Sequence, residues 1–244
     1  MKETGTGIRS KLASFYRAAG GYSDRQHAHT EASYREYIDF IYRFVRPNSL
    51  LLDLGCATGM SSFLLAAKGY KVIGVDISDA SMRRAKDKSS AGLSFTCANI
   101  LKLPFKDESF DCVSLFLVIE HIPDTPALLE EMARLVKPGG KVIILSPNLL
   151  SPFNALVPLW DSWRGRRANF LFGVSGFWGV VRISIYNILA RFRKKLSSVP
   201  SFNYREPVLD DRFDFIADND AVYLSCPLDF KRYFKKKADM RIVN

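Results

Sequence analysis

The stretch LLDLGCATG, residues 51–59, decides the fold expected of this chain. It begins as a short apolar run of strand length and passes directly into small residues, before sequence of helical period. Gly55 and Gly59 permit a sharp turn and a close approach of the backbone to a ligand. Open α/β sheets bind ligands at the carboxyl ends of their strands, so this turn is the first candidate binding site.

Short β-branched apolar runs alternate with segments of helical period from residue 50 to residue 146. This alternation predicts a parallel sheet with crossover helices. We therefore expect an α/β fold with a doubly wound, mostly parallel Rossmann-like sheet and helices on both faces. The strands are predicted over 50–54, 71–76, 93–98, 110–117 and 140–146. The helices are predicted over 31–45, 61–68, 80–88 and 125–136.

Asp76 ends the second predicted strand, which a parallel sheet places near the glycine turn. An acid in this place reaches the ribose hydroxyls of the ligand in nucleotide-binding folds. An NAD-binding domain is the alternative, but the turn reads D-x-G-x-x-x-G and not G-x-G-x-x-G. The turn and the acid together indicate a ligand that contains a ribose.

These ordered motifs resemble those of class I S-adenosylmethionine-dependent methyltransferases, of the methyltransferase type 11-like family. LLDLGCATG is similar to their first motif, and VIGVDIS, residues 72–78, to their second. Residues 95–122 and 135–148 are similar to the later motifs. The resemblance implies methyl transfer, S-adenosyl-L-methionine as cofactor and a helical lid inserted after the fifth strand. The cofactor-binding residues that it implies are Asp53, Gly55, Cys56, Ala57, Gly59, Asp76, Ile77, Asn99, Ile100 and Leu117.

Two of these residues depart from the family pattern. Asn99 stands where the family commonly has Asp beside the adenine amino group, and an amide oxygen can still accept that hydrogen bond. Ala57 replaces a frequent third glycine, so we expect weakened but not lost binding. The resemblance places Asp53, Gly55 and Ala57 at the methionine part of the cofactor, and Asp76 with Ile77 at the ribose and adenine.

His121 is the candidate catalytic residue. The sulfonium of the cofactor supplies the activated methyl group, so the protein mainly aligns an acceptor. A general base is needed only if the acceptor loses a proton during attack. His121 follows the fourth predicted strand and could take that proton. The alternative is that Glu120 and His121 only shape the loop. The sequence has no cluster with metal-ligand spacing, and no metal site is predicted.

Composition points to anionic partners and a reducing compartment. The 244 residues include 35 Lys and Arg against 25 Asp and Glu, giving a formal net charge of +10. The four cysteines are far apart in the sequence and suggest no disulfide framework, so a reducing compartment is the simplest inference. The first residues lack the apolar core of a secretory signal. We expect a cytoplasmic protein, with a peripheral position at the inner face of the membrane as a further hypothesis.

Most of the net charge follows the fifth predicted strand. Residues 151–200 contain eight Lys or Arg and one acid, Asp161. Within 160–196 a helical wheel gathers apolar residues on one face, which suits a helix lying in an anionic membrane interface. A lid helix that packs this face on the core is the alternative, and Arg182 disfavours a spanning helix. The apolar face comprises Val174, Phe177, Trp178, Val181, Ile185, Ile188, Leu189, Phe192 and Leu196.

The expected activity is methyl transfer to an oxygen or nitrogen of a small-molecule, glycan or lipid-linked acceptor. An RNA methyltransferase is one alternative, and a non-catalytic interaction protein that binds the cofactor is another. Nucleic acid is disfavoured because no recognisable RNA-binding module accompanies the basic stretch. The sequence leaves the acceptor and the oligomeric state open.

The sequence divides into four parts: an N-terminal arm over 1–30, the cofactor-binding core over 31–148, the basic aromatic insert over 149–205, and the C-terminal part of the domain over 206–244. In the last part a helix is predicted over 227–237 and a strand over 240–243. The final antiparallel strand of the family has no obvious counterpart. Residues 213–216, residues 221–225 or a partner chain are the alternatives for covering the sheet edge.

Overall fold

A computed structural model describes residues 5–18, 30–153, 177–207, 209 and 220–235. The chain forms two compact units, residues 1–145 and residues 146–244. The first unit contains the predicted sheet, and the second contains the basic helix.

The first unit alternates helices and strands in the predicted order. Its helices are α1 (Gly5–Ala18), α2 (Glu31–Phe44), α3 (Met60–Ala67), α4 (Asp79–Lys86) and α5 (Thr125–Leu135). Its strands are β1 (Leu50–Leu54), β2 (Lys71–Asp76), β3 (Leu93–Cys97), β4 (Phe110–Phe116) and β5 (Val136–Leu145). Side-chain caps begin two helices, because Ser78 accepts from the Ser81 N–H and Asp124 from the Ala127 N–H.

The five strands form one sheet in the order β3-β2-β1-β4-β5, and every adjacent pair is parallel. This confirms the predicted doubly wound α/β class. The chain first builds outward from β1 through β2 to β3 and then returns to place β4 on the other side of β1. The carboxyl ends of β1 and β4 therefore flank the point where the winding direction reverses, which is where such sheets bind ligands.

β1 is the centre of the sheet and is buried on both faces. Leu51 belongs to an apolar core that includes Ile41 of α2, Leu65 of α3 and Met82 of α4. Leu52 alternates with Leu51 along the strand and is also fully buried. This burial explains why β1 reads as a continuous apolar run interrupted by a single acid.

Several boundaries differ from the predictions, most of them by one or two residues. β5 begins at Val136 and not at residue 140, and the pairing register shifts between Phe110 and Cys112 to accommodate the extra residues. β4 ends at Phe116 because Leu117 has a left-handed backbone, with φ of 54°. The predicted N-terminal arm contains the helix α1.

The second unit contains α6 (Phe177–Leu196) and α7 (Pro227–Lys235). One antiparallel bridge joins Tyr204 to Tyr223. Residues 221–225 contain this bridge and form none of the five strands of the sheet, so the structure does not support the alternative in which they supply its last strand. The other strand predictions, 213–216 and 240–243, lie outside the described residues.

Candidate cofactor site

The turn after β1 adopts a left-handed backbone at three positions. The φ angles are 69° at Gly55, 48° at Ala57 and 78° at Gly59. Glycine is further required at position 55, because an added Cβ would lie 2.4 Å from Cγ2 of Val118. Strained non-glycine backbone tends to cluster at functional sites. Two of the four described left-handed non-glycine residues, Ala57 and Leu117, follow the adjacent strands β1 and β4, and the other two, Asn48 and Glu108, lie in loops that precede these strands.

Asp76 connects the end of β2 to this turn. Its Oδ2 accepts a hydrogen bond from the Ala57 N–H at 2.9 Å, and its Oδ1 accepts one from the Ser78 N–H at 2.8 Å. Burial raises the pKa of the Asp76 carboxyl, although the backbone hydrogen bonds oppose this shift. The structure thus places the predicted ribose acid directly beside the predicted glycine turn.

Asp53, at the end of β1, is buried and surrounded by hydroxyl groups. Its side chain is 1% exposed. The Tyr37 hydroxyl donates to Oδ1 at 2.9 Å, and the Ser61 and Ser62 hydroxyls donate to Oδ2 at 2.6 and 2.7 Å. Desolvation raises the pKa of the Asp53 carboxyl, and the three hydroxyls partly oppose that shift. These contacts tie β1 to α2 and α3, so the carboxylate holds the turn in place and has almost no surface for a ligand.

The hydroxyl partners of Asp53 were missed by sequence reasoning. Tyr37 lies on the predicted apolar face of α2, where its ring stacks on Phe116 with centroids 5.1 Å apart. Its hydroxyl also lies 2.7 Å from Oγ of Ser114, which is paired with Asp53 across β1 and β4. A serine in the middle of an apolar strand is the signal that could have revealed this buried polar cluster.

Cys56 and Tyr34 complete the buried surroundings of the turn. Cys56 is 4% exposed, and its Sγ is one of the atoms that an added Cβ at Gly74 would meet, at 2.8 Å. Burial, followed by the nearby Asp53 charge, raises the pKa of the Cys56 thiol well above its ordinary value. The same two causes raise the pKa of Tyr34 to about 12. Both groups are therefore neutral near pH 7, and the Cys56 side chain packs under the turn.

The remaining residues implied by the resemblance follow the ends of β2, β3 and β4. Asn99 is exposed, and its Oδ1 accepts from the Leu101 N–H at 3.0 Å. Ile100 is buried at 7% exposure, whereas Leu117 is 40% exposed. Ile77 follows Asp76, and its carbonyl oxygen lies 3.7 Å from Sγ of Cys97. One acceptor position of Asn99 is thus used by its own loop, and a second lone pair remains for a ligand.

His121 lies in a short 3-10 turn, Ile119–His121, just after β4. Its side chain is 12% exposed, and its Nε2 lies 3.9 Å from Oε1 of the fully buried Glu120. The ring of Tyr16, from α1, meets the His121 imidazole edge to face with centroids 6.0 Å apart. The imidazole is therefore held on two sides at the ligand-binding end of the sheet.

The residues present fit S-adenosylmethionine at this edge. Each oxygen of the Asp76 carboxylate accepts one backbone hydrogen bond, and a carboxylate oxygen offers about two acceptor positions. Asp76 can therefore still accept both ribose hydroxyls. The left-handed turn brings the backbone of Gly55 to Ala57 to the same end of the sheet. Among the described residues no group of three or more His, Cys, Asp or Glu side chains could hold a metal ion.

A comparison with protein families supports the same assignment, because residues 52–144 match the model of a methyltransferase domain. Residues 52–144 are a class I S-adenosylmethionine-dependent methyltransferase domain. The cofactor of this domain is S-adenosylmethionine. The matched segment runs from β1 through almost all of β5, so the methyltransferase domain includes the turn, Asp76 and His121.

Curated relatives match the same part of the chain. The demethylmenaquinone methyltransferase of Streptomyces avermitilis is 38% identical over 99 residues, which cover 41% of this chain and 42% of the relative. The biotin biosynthesis bifunctional protein BioHC of Cellvibrio japonicus is 34% identical over 114 residues, which cover 47% of this chain and 22% of the relative. The chain thus spans less than half the length of these relatives.

A solved structure extends the similarity in fold beyond the methyltransferase domain. A chain in the complex of the Haloferax volcanii Trm112 methyltransferase activator with a methyltransferase aligns at a TM-score of 0.51 and 21% identity. The alignment covers 65% of this chain and 68% of that one. At this identity the match supports the fold alone.

Proposed function

We propose that this protein transfers the methyl group of S-adenosylmethionine to an oxygen or nitrogen of a small-molecule, glycan or lipid-linked acceptor. The observation that carries the proposal is the hydrogen bond between Asp76 and the Ala57 N–H, which joins the ribose acid to the strained turn. When bound, the cofactor supplies an activated methyl group on its sulfonium. The protein's contribution is then binding, alignment and, where needed, proton removal.

Each implied residue has a defined part in this proposal. Asp76 accepts the ribose hydroxyls, and Ile77 beside it borders the ribose and adenine. The backbone from Gly55 to Gly59 contacts the methionine part of the cofactor. Asn99 and Ile100 contact the adenine, while Leu117 borders the methionine end. Asp53 and Cys56 support the turn from the protein interior, because both side chains are buried.

His121 is the residue that we propose as the general base. It lies after β4, at the end of the sheet where the cofactor is proposed to bind. An imidazole changes charge close to neutral pH, so it can accept a proton from a hydroxyl or ammonium group as the methyl is transferred. Glu120 lies beside His121 and would stabilise the imidazolium that results.

The acceptor class draws on two further observations. Several curated relatives are demethylmenaquinone methyltransferases, which favours a small molecule as acceptor. The basic and aromatic insert favours an acceptor with anionic or lipid character.

All four cysteines are free, including the exposed Cys97, which supports a position in the reducing cytoplasm.

The direct test is to incubate the protein with cell extract and an isotopically labelled methyl donor, and to search for the labelled product by mass spectrometry. Asp76→Ala should weaken cofactor binding by about 2 to 3 kcal/mol in calorimetry, because two charge-assisted hydrogen bonds are lost and water replaces them in part. Label transfer at limiting cofactor should fall in parallel.

Asp87→Ala is the matched control, since Asp87 is an exposed acid at the end of α4. It should leave cofactor affinity unchanged. Asp76→Asn retains an acceptor oxygen for the Ala57 N–H and separates turn geometry from ribose binding. In the same assay, His121→Gln should lower turnover and leave cofactor affinity intact.

Unchanged affinity in Asp76→Ala contradicts the proposed cofactor site. RNA-dependent labelling points to the RNA methyltransferase alternative, and binding without transfer to any extract component points to a non-catalytic role.

A further inference from the structure

α6 directs polar side chains inward within the second unit. Asn187 Nδ2 donates to the Ser151 carbonyl at 3.0 Å, and Lys194 Nζ lies 2.6 Å from Oδ2 of Asp229. The buried residues of the helix are Val180, Asn187, Ala190 and Lys194. A buried amide and a buried ion pair, both satisfied, fix the rotation of the helix about its axis. They therefore determine which side of α6 faces outward.

The outward side of α6 is apolar. Trp178 is 79% exposed and Leu196 is 74% exposed. At 3.6 residues per turn these two lie on one face with Ile185, Leu189 and Phe192, each of them more than half exposed. A helix in contact with water normally presents polar residues on this side. A continuous exposed apolar stripe is instead typical of an interaction surface.

Positive charge borders the apolar stripe. Arg182 and Arg193 follow one side of it and Lys195 the other, and all three side chains are exposed. The helix contains no Asp or Glu. Its charged border is therefore of one sign, and the complementary surface is apolar in the middle and anionic around it. The headgroup region of a bilayer with acidic lipids has both properties.

We infer that the exposed face of α6 docks on the surface of an anionic lipid bilayer, with its apolar stripe in the acyl boundary and its basic residues among the headgroups. With one apolar and one polar side, this helix lies along the membrane interface. None of the helices in the described part of the chain is long and apolar enough to cross a membrane. A second copy of this chain is a poorer partner, because it would bring two basic borders together. The inference goes beyond the proposed methyl transfer and does not depend on it.

Co-sedimentation of the full-length protein with vesicles tests this inference. The protein should sediment with phosphatidylcholine vesicles that contain phosphatidylglycerol, and much less with phosphatidylcholine alone or at high salt. Trp178→Glu and Phe192→Glu should each lower vesicle binding at least about tenfold, because each replaces a large apolar side chain of the stripe with a negative charge. Replacement of Arg182, Arg193 and Lys195 by Gln should remove the dependence on phosphatidylglycerol.

Matched controls use exposed residues of the first unit. Tyr42→Glu, at a side chain that is 57% exposed, and the triple replacement of Lys68, Lys71 and Lys86 by Gln should bind vesicles as the wild type does. Circular dichroism and thermal unfolding establish that each variant is folded, and calorimetry with S-adenosylmethionine reports the cofactor site separately. Loss of vesicle binding with intact cofactor affinity thus separates the two proposals.

Three outcomes would overturn the docking surface. In the first, the wild type stays in the supernatant with anionic vesicles at low salt. In the second, Trp178→Glu and Phe192→Glu bind vesicles as tightly as the wild type. In the third, the protein forms a dimer or binds single-stranded RNA through this face, without binding vesicles.

Discussion

Asp53 in the first unit and Asp229 in the second are both buried, and they are stabilised in different ways. Asp53 in β1 is surrounded by hydroxyl groups from Tyr37, Ser61 and Ser62. Asp229 in α7 is fully buried and receives Lys194 Nζ at 2.7 and 2.6 Å on its two oxygens, together with the Tyr223 hydroxyl at 2.9 Å. The first acid thus has neutral donors, and the second has a cation.

Because of this difference, the two units depend on their buried polar groups in different ways. Hydroxyl donors stabilise a carboxylate without a buried positive charge, so Asp53 can lose its proton or keep it without leaving another ion unpaired. In the second unit, removal of either Lys194 or Asp229 leaves a buried charge behind. Loss of one polar group should therefore destabilise the cluster around Asp53 less than it destabilises the pair of Lys194 and Asp229.

Lys194→Met should produce the largest effect, a loss of about 3 to 5 kcal/mol in the stability of the second unit, because Asp229 stays buried without its cation. Urea unfolding followed through a tryptophan of that unit measures this loss. The double replacement Lys194→Met with Asp229→Leu should recover much of it, since no buried charge then remains. A Lys194→Met protein as stable as the wild type would show that the ion pair does not anchor α6.

Gly55→Ala should be next, with a loss of about 2 to 4 kcal/mol. The left-handed backbone disfavours a Cβ by about 1 kcal/mol or more, and the contact with Val118 adds an overpacking cost. Thermal unfolding of the first unit is the measurement. In the Val118→Ala background the overpacking should disappear while the backbone cost remains. Equal costs of Gly55→Ala in both backgrounds would refute the contact.

Asp53→Asn should have the smallest effect on stability and a distinctive dependence on pH. Burial raises the pKa of Asp53 above its ordinary 3.8, so the folded state retains the proton more strongly than the unfolded state. The stability that this provides is complete below pH 3.8 and is lost as pH rises through the folded pKa. The amide does not titrate. The unfolding free energy of the wild type, relative to Asp53→Asn, should therefore fall as pH rises from 3.8, and a flat difference would contradict the assignment.

Much of the methyltransferase domain could be predicted from local sequence. The five strands and their order along the chain follow from alternating apolar runs, and the turn and Asp76 follow from short motifs. The structure brings Asp76 and Ala57 together as expected. The hydroxyl cluster around Asp53 was missed. Ser114 signals a buried polar group within β4, but it becomes a neighbour of Asp53 only when β1 pairs with β4.

The buried side of α6 is a second feature that the sequence did not determine. The helical wheel gathered the apolar residues of α6 on one face, and it left open whether that face or the side of Asn187 and Lys194 is buried. That depends on partners distant in sequence, Ser151 for the amide and Asp229 for the ammonium.

The sequence by itself determined the class of fold, the glycine turn, the acid after β2 and the amphipathic division of α6, because each is set by residues close together in the chain. Tertiary structure alone decided that Asp53 is a buried support of the turn and that the apolar side of α6 faces outward. Burial and ion pairing depend on contacts between distant segments, and a polar side chain is inside wherever those contacts satisfy it.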